Sequence, residues 1–171
     1  MKSFYLENIK SKESYCHFID YMISNSDSFS LVYFKYKENE KTKNTVKKIK
    51  KLLAPYKIYS CNGNQWPGTE TLNQNSHIYK IILYKSEPKC KEVLLKVDNI
   101  YDWNYPYYPM DLCFYKDGYA WFVSCAHERF ANLILEDEFD ISFFEVFGVN
   151  LQYECDIPKD KLFLESFLGK G

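Results

Sequence analysis

The sequence predicts an α+β fold in which residues 1–171 form a single globular domain. A central, largely antiparallel sheet of about six strands is expected, with helices packed on it. Three observations lead to this prediction. The chain is long enough, at 171 residues and 46% hydrophobic, to bury one sizeable core. Residues 110–135 resemble three consecutive strands, and two other segments repeat apolar residues at the helical period.

Residues 110–135 form the centre of the predicted sheet. Two apolar runs, 110–115 and 119–125, are joined by Lys116-Asp117-Gly118. Asp-Gly between two such runs is a strong hairpin signal, because Gly supplies the positive φ that the turn needs. Polar residues 126–129 and a third apolar run, 130–135, follow, so a three-stranded meander is expected.

Two helices are predicted from apolar residues at spacings of three and four. The first, residues 11–25, begins at Ser11, whose hydroxyl is a candidate cap; the second, residues 38–53, ends before Pro55. The predicted apolar faces are Tyr15, Phe18, Ile19 and Met22 in the first helix, and Val46, Ile49, Leu52 and Leu53 in the second.

The other segments complete the predicted order of elements. Further strands are expected at residues 28–36, 56–61, 77–84 and, at an edge of the sheet, 149–155. Shorter helices are expected at 87–97, 136–147 and 162–168. Residues 62–69 and 99–109 are predicted to be loops, because glycines or prolines interrupt them.

The charges differ between the two halves of the chain. Residues 1–100 contain 17 lysines and 10 acidic residues, for a net charge of +7, whereas residues 101–171 contain 5 basic and 13 acidic residues, for −8. One basic and one acidic region are therefore expected. An acidic surface with aromatic side chains is typical of a docking site for a basic partner, because complementary potentials steer the two together.

The predicted partner-binding surface combines the aromatic loop at 99–109 with the acidic segment at 136–145. Tyr and Trp are enriched at interfaces. Internal packing of the loop, and acidic residues placed at a helix N-terminus, are alternative explanations. The predicted interface residues are Asp102, Trp103, Tyr105, Tyr107, Tyr108, Glu136, Asp137, Glu138, Asp140 and Glu145.

The sequence contains no motif that specifies a reaction. His127-Glu128 begins an H-E-x-x-H pattern, but Ala131 stands where the second His is required, and no two cysteines have C-x-x-C spacing. No catalytic residue, metal or cofactor is therefore expected. The alternative is a small hydrolase that uses His127 with Cys125 or Asp111, since residues two apart on a strand point to the same face.

The compartment and a further alternative follow from composition. The N-terminal residues have no apolar signal region, and no apolar run approaches ~18 residues, so a cytoplasmic protein without a membrane or nucleic-acid partner is expected. The six cysteines are expected to be reduced and mostly buried.

A third hypothesis is a regulatory or scaffold domain that binds an acidic or nucleic partner through Lys47, Lys48, Lys50 and Lys51.

The run P-M-D-L-C-F-Y-K-D-G-Y-A-W-F at 109–122, closing on Ala126-His127-Glu128, resembles a hairpin in a family of bacterial proteins. These are the small immunity proteins of polymorphic-toxin and contact-dependent inhibition systems. The resemblance implies a cytoplasmic, non-catalytic protein that neutralises a cognate toxin domain by direct binding. If the toxin is a nuclease, the acidic surface would occupy its phosphate-binding site. Toxin neutralisation is the leading hypothesis from the sequence.

Overall fold

The structure is a computed structural model that describes residues 1–34, 40–70, 79–165 and 168. The helices in this part of the chain are α1 (Lys12–Ser24), α2 (Glu40–Leu53), α3 (Lys91–Leu94) and α4 (Ser142–Val146). The strands are β1 (Lys2–Ile9), β2 (Ser28–Phe34), β3 (Lys57–Gly63), β4 (Gln65–Trp66), β5 (Thr69–Glu70), β6 (Tyr79–Lys85), β7 (Met110–Lys116), β8 (Tyr119–Cys125), β9 (Phe130–Leu135) and β10 (Val149–Asp156).

Eight of these strands form one antiparallel sheet in the order β10-β1-β9-β8-β7-β2-β6-β3. The predicted α+β class, the 110–135 meander and the edge position of the 149–155 strand are confirmed. The sheet is larger than expected because β1 was not predicted. This segment interleaves Lys2, Glu7 and Asn8 with its apolar residues, and it is held as a strand by pairing with β9 on one side and β10 on the other.

The helices cover one face of the sheet and enclose the main core. The predicted apolar face of α1 is buried, with Phe18, Ile19 and Met22 at most 1% exposed. The Ser11 hydroxyl accepts the Ser14 N–H at 3.1 Å, which confirms the predicted cap. Alternate residues of β2, such as Phe29 and Leu31, contribute to this core, as expected for a period of two.

A second, smaller core lies on the opposite face of the sheet. It contains Val32, Cys113 and Tyr115, and the short β4–β5 hairpin covers it with Trp66. Residues 62–69 were predicted to be a loop, but in the structure residues 65–70 form this hairpin. Burial on both faces explains why the central strands are apolar almost throughout.

Two predicted helices differ from the structure over part of their length. Leu164 bridges Tyr119, and Phe163 accepts the Ala120 N–H at 2.9 Å, so residues 162–164 extend along β8 instead of forming a helix. Residues 136–141 are not helical; α4 begins only at Ser142, whose N–H donates to Asp140 Oδ1 at 3.0 Å. Asp140, the side-chain acceptor at the start of this helix, is therefore four residues after Glu136, where the helix was predicted to begin.

The remaining predictions differ mainly in extent. Residues 87–97 contain one 3₁₀ turn followed by the four-residue α3. The predicted strands at 28–36 and 77–84 and the helix at 38–53 are confirmed over β2, β6 and α2, and their other residues lie outside the described part of the chain. All six cysteines are free thiols, but Cys155 is exposed. Within the described residues, no helix has the length and apolar character needed to cross a membrane.

Replacing Gly68 by Ala tests how tightly the β4–β5 hairpin packs on β8. An added Cβ would lie 2.5 Å from Val123 Cγ1, and the glycine has a φ of +76°. A steric clash and an unfavourable backbone conformation would therefore both destabilise the variant. We expect urea denaturation to show a loss of about 2–4 kcal/mol. Gly118→Ala is the control: its φ is +80° but no atom lies within 4 Å, so only about 1 kcal/mol should be lost. Equal losses would contradict tight packing of the hairpin.

Candidate functional site

The aromatic loop is largely part of the fold. Trp103 is fully buried, and its indole N–H donates to the Tyr15 hydroxyl at 2.9 Å. The loop packs this ring against α1, so the ring is not exposed to a partner as the predicted interface requires. Tyr108 lies edge to face with Trp103, and Tyr105 stacks at a tilt on Phe34.

Two other residues of the predicted interface have different roles in the same loop. Asp102 accepts the N–H groups of Asp98 and Asn99, so its carboxylate closes a capping box around the 3₁₀ turn at residues 100–102. Tyr107 is 67% exposed. Of the five predicted residues in this loop, Tyr107 is the aromatic side chain most available to a partner.

The acidic segment begins at the other end of the sheet. Cys125 pairs with Phe130 where β8 meets β9, next to the aromatic loop, whereas Glu136 follows Leu135 at the far end of β9. A six-residue strand is about 17 Å long. Glu136 therefore lies about the length of β9 away from the start of that strand, whereas the chain after it returns through α4 to Val149, which pairs with Ile9.

The acidic end carries an exposed apolar patch around α4. Val146 is 81% exposed and Phe143 is 39% exposed. Phe143 also packs against Tyr21 of α1, with ring centroids 4.9 Å apart. We call this region the α4 surface, and it comprises Phe139, Phe143, Val146, Glu138, Asp140 and Glu145.

Most acidic groups near α4 form no ion pair with the residues that the structure describes. Asp137 is an exception, because its carboxylate lies 3.2 Å from the amino group of Met1. Among the described residues, Glu136, Glu138 and Glu145 form no ion pair. The α4 surface therefore combines exposed apolar side chains with unneutralised negative charge.

A second site lies at the opposite end of β9, where Asp111, Cys125 and His127 converge. Their potential ligand atoms all lie within 4.8 Å of one another. The hairpin register causes this proximity. Phe114 pairs with Phe122, and three residues further along each strand this register places Asp111 beside Cys125. Asp111 has a φ of +53° at a register shift between β2 and β7, where the strand bends.

The Asp111 carboxylate is buried and accepts two hydrogen bonds. Trp66 Nε1 donates to Oδ2 at 2.9 Å, and the Ala126 N–H donates to Oδ1 at 2.8 Å. Burial raises the pKa of Asp111, and these two hydrogen bonds partly oppose that rise. Because neither bond comes from His127, Asp111 does not orient the imidazole as the third member of a catalytic relay would.

Cys125 and His127 are in direct contact. Cys125 Sγ lies 3.4 Å from His127 Nδ1 and accepts a hydrogen bond from the Thr69 hydroxyl at 3.5 Å. The other imidazole nitrogen, Nε2, lies 3.6 Å from Glu128 Oε1. The predicted pairing of Cys125 with His127 is therefore present in the structure.

The environment of Cys125 does not favour the hydrolase hypothesis. Its thiol is buried, and burial raises its pKa, which the hydrogen bond from Thr69 only partly opposes. A nucleophilic cysteine needs a lowered pKa, because the thiolate is the reactive species. The geometry brings the predicted residues together without activating the sulfur.

A cleft of about 510 Å³ opens beside these residues, and we call it the His127 cleft. Trp66 and Thr69 from the β4–β5 hairpin form part of its wall, and the loop residues Asn104 and Tyr105 form another part. Trp66 itself is only 3% exposed, so it packs the hairpin onto the sheet. The cleft makes one side of the Asp111, Cys125 and His127 cluster accessible.

The lysine face of α2 is exposed as the amphipathic pattern predicts. Val46, Ile49 and Leu53 are buried beneath it. Lys50 Nζ lies 5.6 Å from the ring centroid of Tyr33. The exposed lysines of the third hypothesis are Lys47, Lys48, Lys50 and Lys51.

Counting back from the turn at Asp117-Gly118 along both strands would place Asp111 opposite Ser124. The register shift between Phe114 and Tyr115 moves the pairing by one residue and brings Asp111 beside Cys125 instead, so the sequence did not predict this contact. The contact of Trp66 with Asp111 was not predictable from the sequence either, because the two residues are 45 positions apart in the chain.

Comparison of the chain with protein-family models, curated proteins and solved structures finds no match in any of the three.

Replacing Trp66 by Phe should destabilise the protein by about 2 kcal/mol at neutral pH, because it removes a hydrogen bond to a buried carboxylate. Without the indole N–H, the pKa of Asp111 rises further in the folded state. A raised folded pKa means that stability is highest when the group is protonated and falls as pH rises through that pKa. The difference between variant and wild type should therefore shrink as pH falls toward 3.8, the ordinary aspartate value.

Urea denaturation at a series of pH values measures this difference, and Trp121→Phe is the matched control. The Trp121 indole donates to the neutral Ser26 hydroxyl at 2.9 Å, so its loss should cost the same free energy at every pH. A penalty for Trp66→Phe that does not change with pH would show that Asp111 is protonated throughout.

Proposed function

We propose that this protein is an immunity protein that neutralises a cognate bacterial toxin domain by binding it through the α4 surface. The observation that carries the proposal is the exposure of Val146 (81%) and Phe143 (39%) beside acidic residues without ion pairs. Exposed apolar anchors with a polar rim are the anatomy of a protein interface.

The charge on this surface defines the chemistry of the partner. Glu138 and Glu145 flank the apolar side chains and lack a counter-charge among the described residues. A basic partner would supply that charge, and long-range attraction would speed its association. The substrate-binding face of a nuclease toxin is basic because it contacts phosphates, so it matches this surface.

The proposal differs from the sequence hypothesis in the source of its aromatic contacts. The sequence hypothesis placed these contacts at Trp103, Tyr105, Tyr107 and Tyr108. All but Tyr107 contribute to packing of the loop. Phe139 and Phe143 replace them, because these rings lie among the acidic residues. Glu138, Asp140 and Glu145 are kept from the predicted interface, and its aromatic residues are replaced.

The first experiment is co-expression with the protein encoded immediately upstream, followed by affinity pull-down and gel filtration. A 1:1 complex that weakens as salt concentration rises, together with rescue of the host from the neighbour's toxicity, is the expected result. If the upstream protein neither binds nor harms the host, the proposal loses its basis.

Two substitutions test the α4 surface itself. Glu145→Lys should weaken the complex at least about tenfold, mainly by slowing association, and Val146→Ala should weaken it by a similar factor through lost apolar contact. Surface plasmon resonance at two salt concentrations separates these effects. Both side chains are exposed, so the fold should be unchanged.

Tyr107→Ala is the control for this measurement, because Tyr107 is the exposed aromatic residue of the other predicted surface. Unchanged affinity in this variant is expected. If Tyr107→Ala weakens the complex while Glu145→Lys does not, the partner binds the aromatic loop and the α4 surface is the wrong interface.

A further inference from the structure

Three side chains with complementary metal-binding chemistry converge beside the His127 cleft. Asp111 offers a carboxylate oxygen, Cys125 a sulfur and His127 an imidazole nitrogen, all within 4.8 Å of one another. A mixed set of sulfur, nitrogen and oxygen ligands suits Zn²⁺, which is borderline soft and accepts all three. Sequence spacing does not reveal this set, because one ligand comes from β7 and the others from β8 and the turn after it.

The geometry of the Cys125–His127 pair matches tetrahedral coordination. Bonds of about 2.3 Å to sulfur and 2.1 Å to nitrogen, at a tetrahedral angle, separate the two ligand atoms by about 3.6 Å. The observed distance from Cys125 Sγ to His127 Nδ1 is 3.4 Å. His127 has a side chain that is 59% exposed, so a modest rotation can adjust it without disturbing the core.

The residues around the cluster hold the potential ligands in position. Trp66 and the Ala126 N–H orient the Asp111 carboxylate, whose oxygens each keep a second lone pair for a metal. Glu128 Oε1 lies 3.6 Å from His127 Nε2, the nitrogen that does not face Cys125. A carboxylate at the second ring nitrogen is typical of zinc-binding histidines, because it sets the tautomer and increases ligand basicity.

We propose that Asp111, Cys125 and His127 bind one Zn²⁺ ion, with the fourth coordination position open to the His127 cleft. Three protein ligands and one open position distinguish a reactive zinc site from a closed structural one. A water molecule would complete the tetrahedron from the cleft. None of the three ligands belongs to the α4 surface, so the proposal does not depend on toxin binding.

The test is isothermal titration calorimetry of the full chain, reduced and freed of metal by a chelator, with ZnCl₂. One ion per chain is expected, together with an increase in thermal stability. Titration with Co²⁺ reports the ligands directly, because a sulfur ligand produces charge-transfer absorption. Cys125→Ser should abolish that absorption, His127→Ala should lower Zn²⁺ affinity at least about tenfold, and Glu128→Gln should lower it by about tenfold.

The chain offers matched controls elsewhere on its surface. His17 Nε2 lies 4.0 Å from Glu13 Oε1, which reproduces the histidine–carboxylate contact without a neighbouring ligand set, and Cys155 is an exposed free thiol. His17→Ala and Cys155→Ser should bind Zn²⁺ as wild type does. His127→Ala removes an exposed side chain, so circular dichroism should show an intact fold in that variant.

Three outcomes would overturn the proposal. The first is the absence of Zn²⁺ binding by the reduced wild-type chain. The second is unchanged binding in both His127→Ala and Cys125→Ser. The third is an equal loss in the His17 and Cys155 controls, which would mean that the ion binds surface side chains without a defined site.

Discussion

The buried carboxylate of Asp111 connects parts of the chain on which the rest of the structure depends. It lies on β7, receives the indole N–H of Trp66 from the β4–β5 hairpin, and receives the N–H of Ala126 after β8. A buried carboxylate is costly unless donors satisfy it, so these two hydrogen bonds offset the cost of burying Asp111. They hold the hairpin over the second core and shape the wall of the His127 cleft.

The left-handed backbone at Asp111 makes this arrangement possible. A regular strand alternates its side chains between the two faces of the sheet, whereas the register shift between β2 and β7 alters that alternation locally. The carboxylate is thereby directed to the end of β8. Bends of this kind often lie next to functional sites because they redirect one side chain while the ladder continues on both sides.

The sheet order separates the charges that the sequence divides between its two halves. Strands β7–β10 and β1 are contiguous and occupy one part of the sheet, while β2, β6 and β3 occupy the other. The acidic α4 surface is next to β10 at one edge, and Lys50 of the basic helix α2 lies over Tyr33 of β2. A protein with a net charge of −1 therefore has an acidic and a basic region, and in the proposed function this separation would orient an approaching basic partner.

Local sequence determined the elements whose signals are local. The Asp-Gly turn, the apolar face of α1 with its Ser11 cap, and the amphipathic α2 follow from contacts between residues close in the chain, and all three are present. The contact between Cys125 and His127 is also local, although His127 lies in the 3₁₀ turn after β8 and not on the strand as predicted.

Tertiary structure decided what depends on distant partners. β1 is a strand because β9 and β10 flank it, and residues 162–164 extend because β8 supplies hydrogen bonds there. Trp103 lies in the core because Tyr15 accepts its indole N–H across 88 residues of sequence. These contacts depend on how the elements pack, and residue type alone does not specify that packing. Composition therefore indicated the acidic and aromatic character of the chain. Only the fold determined which rings are exposed, and only the fold brought Asp111 close to Cys125 and His127.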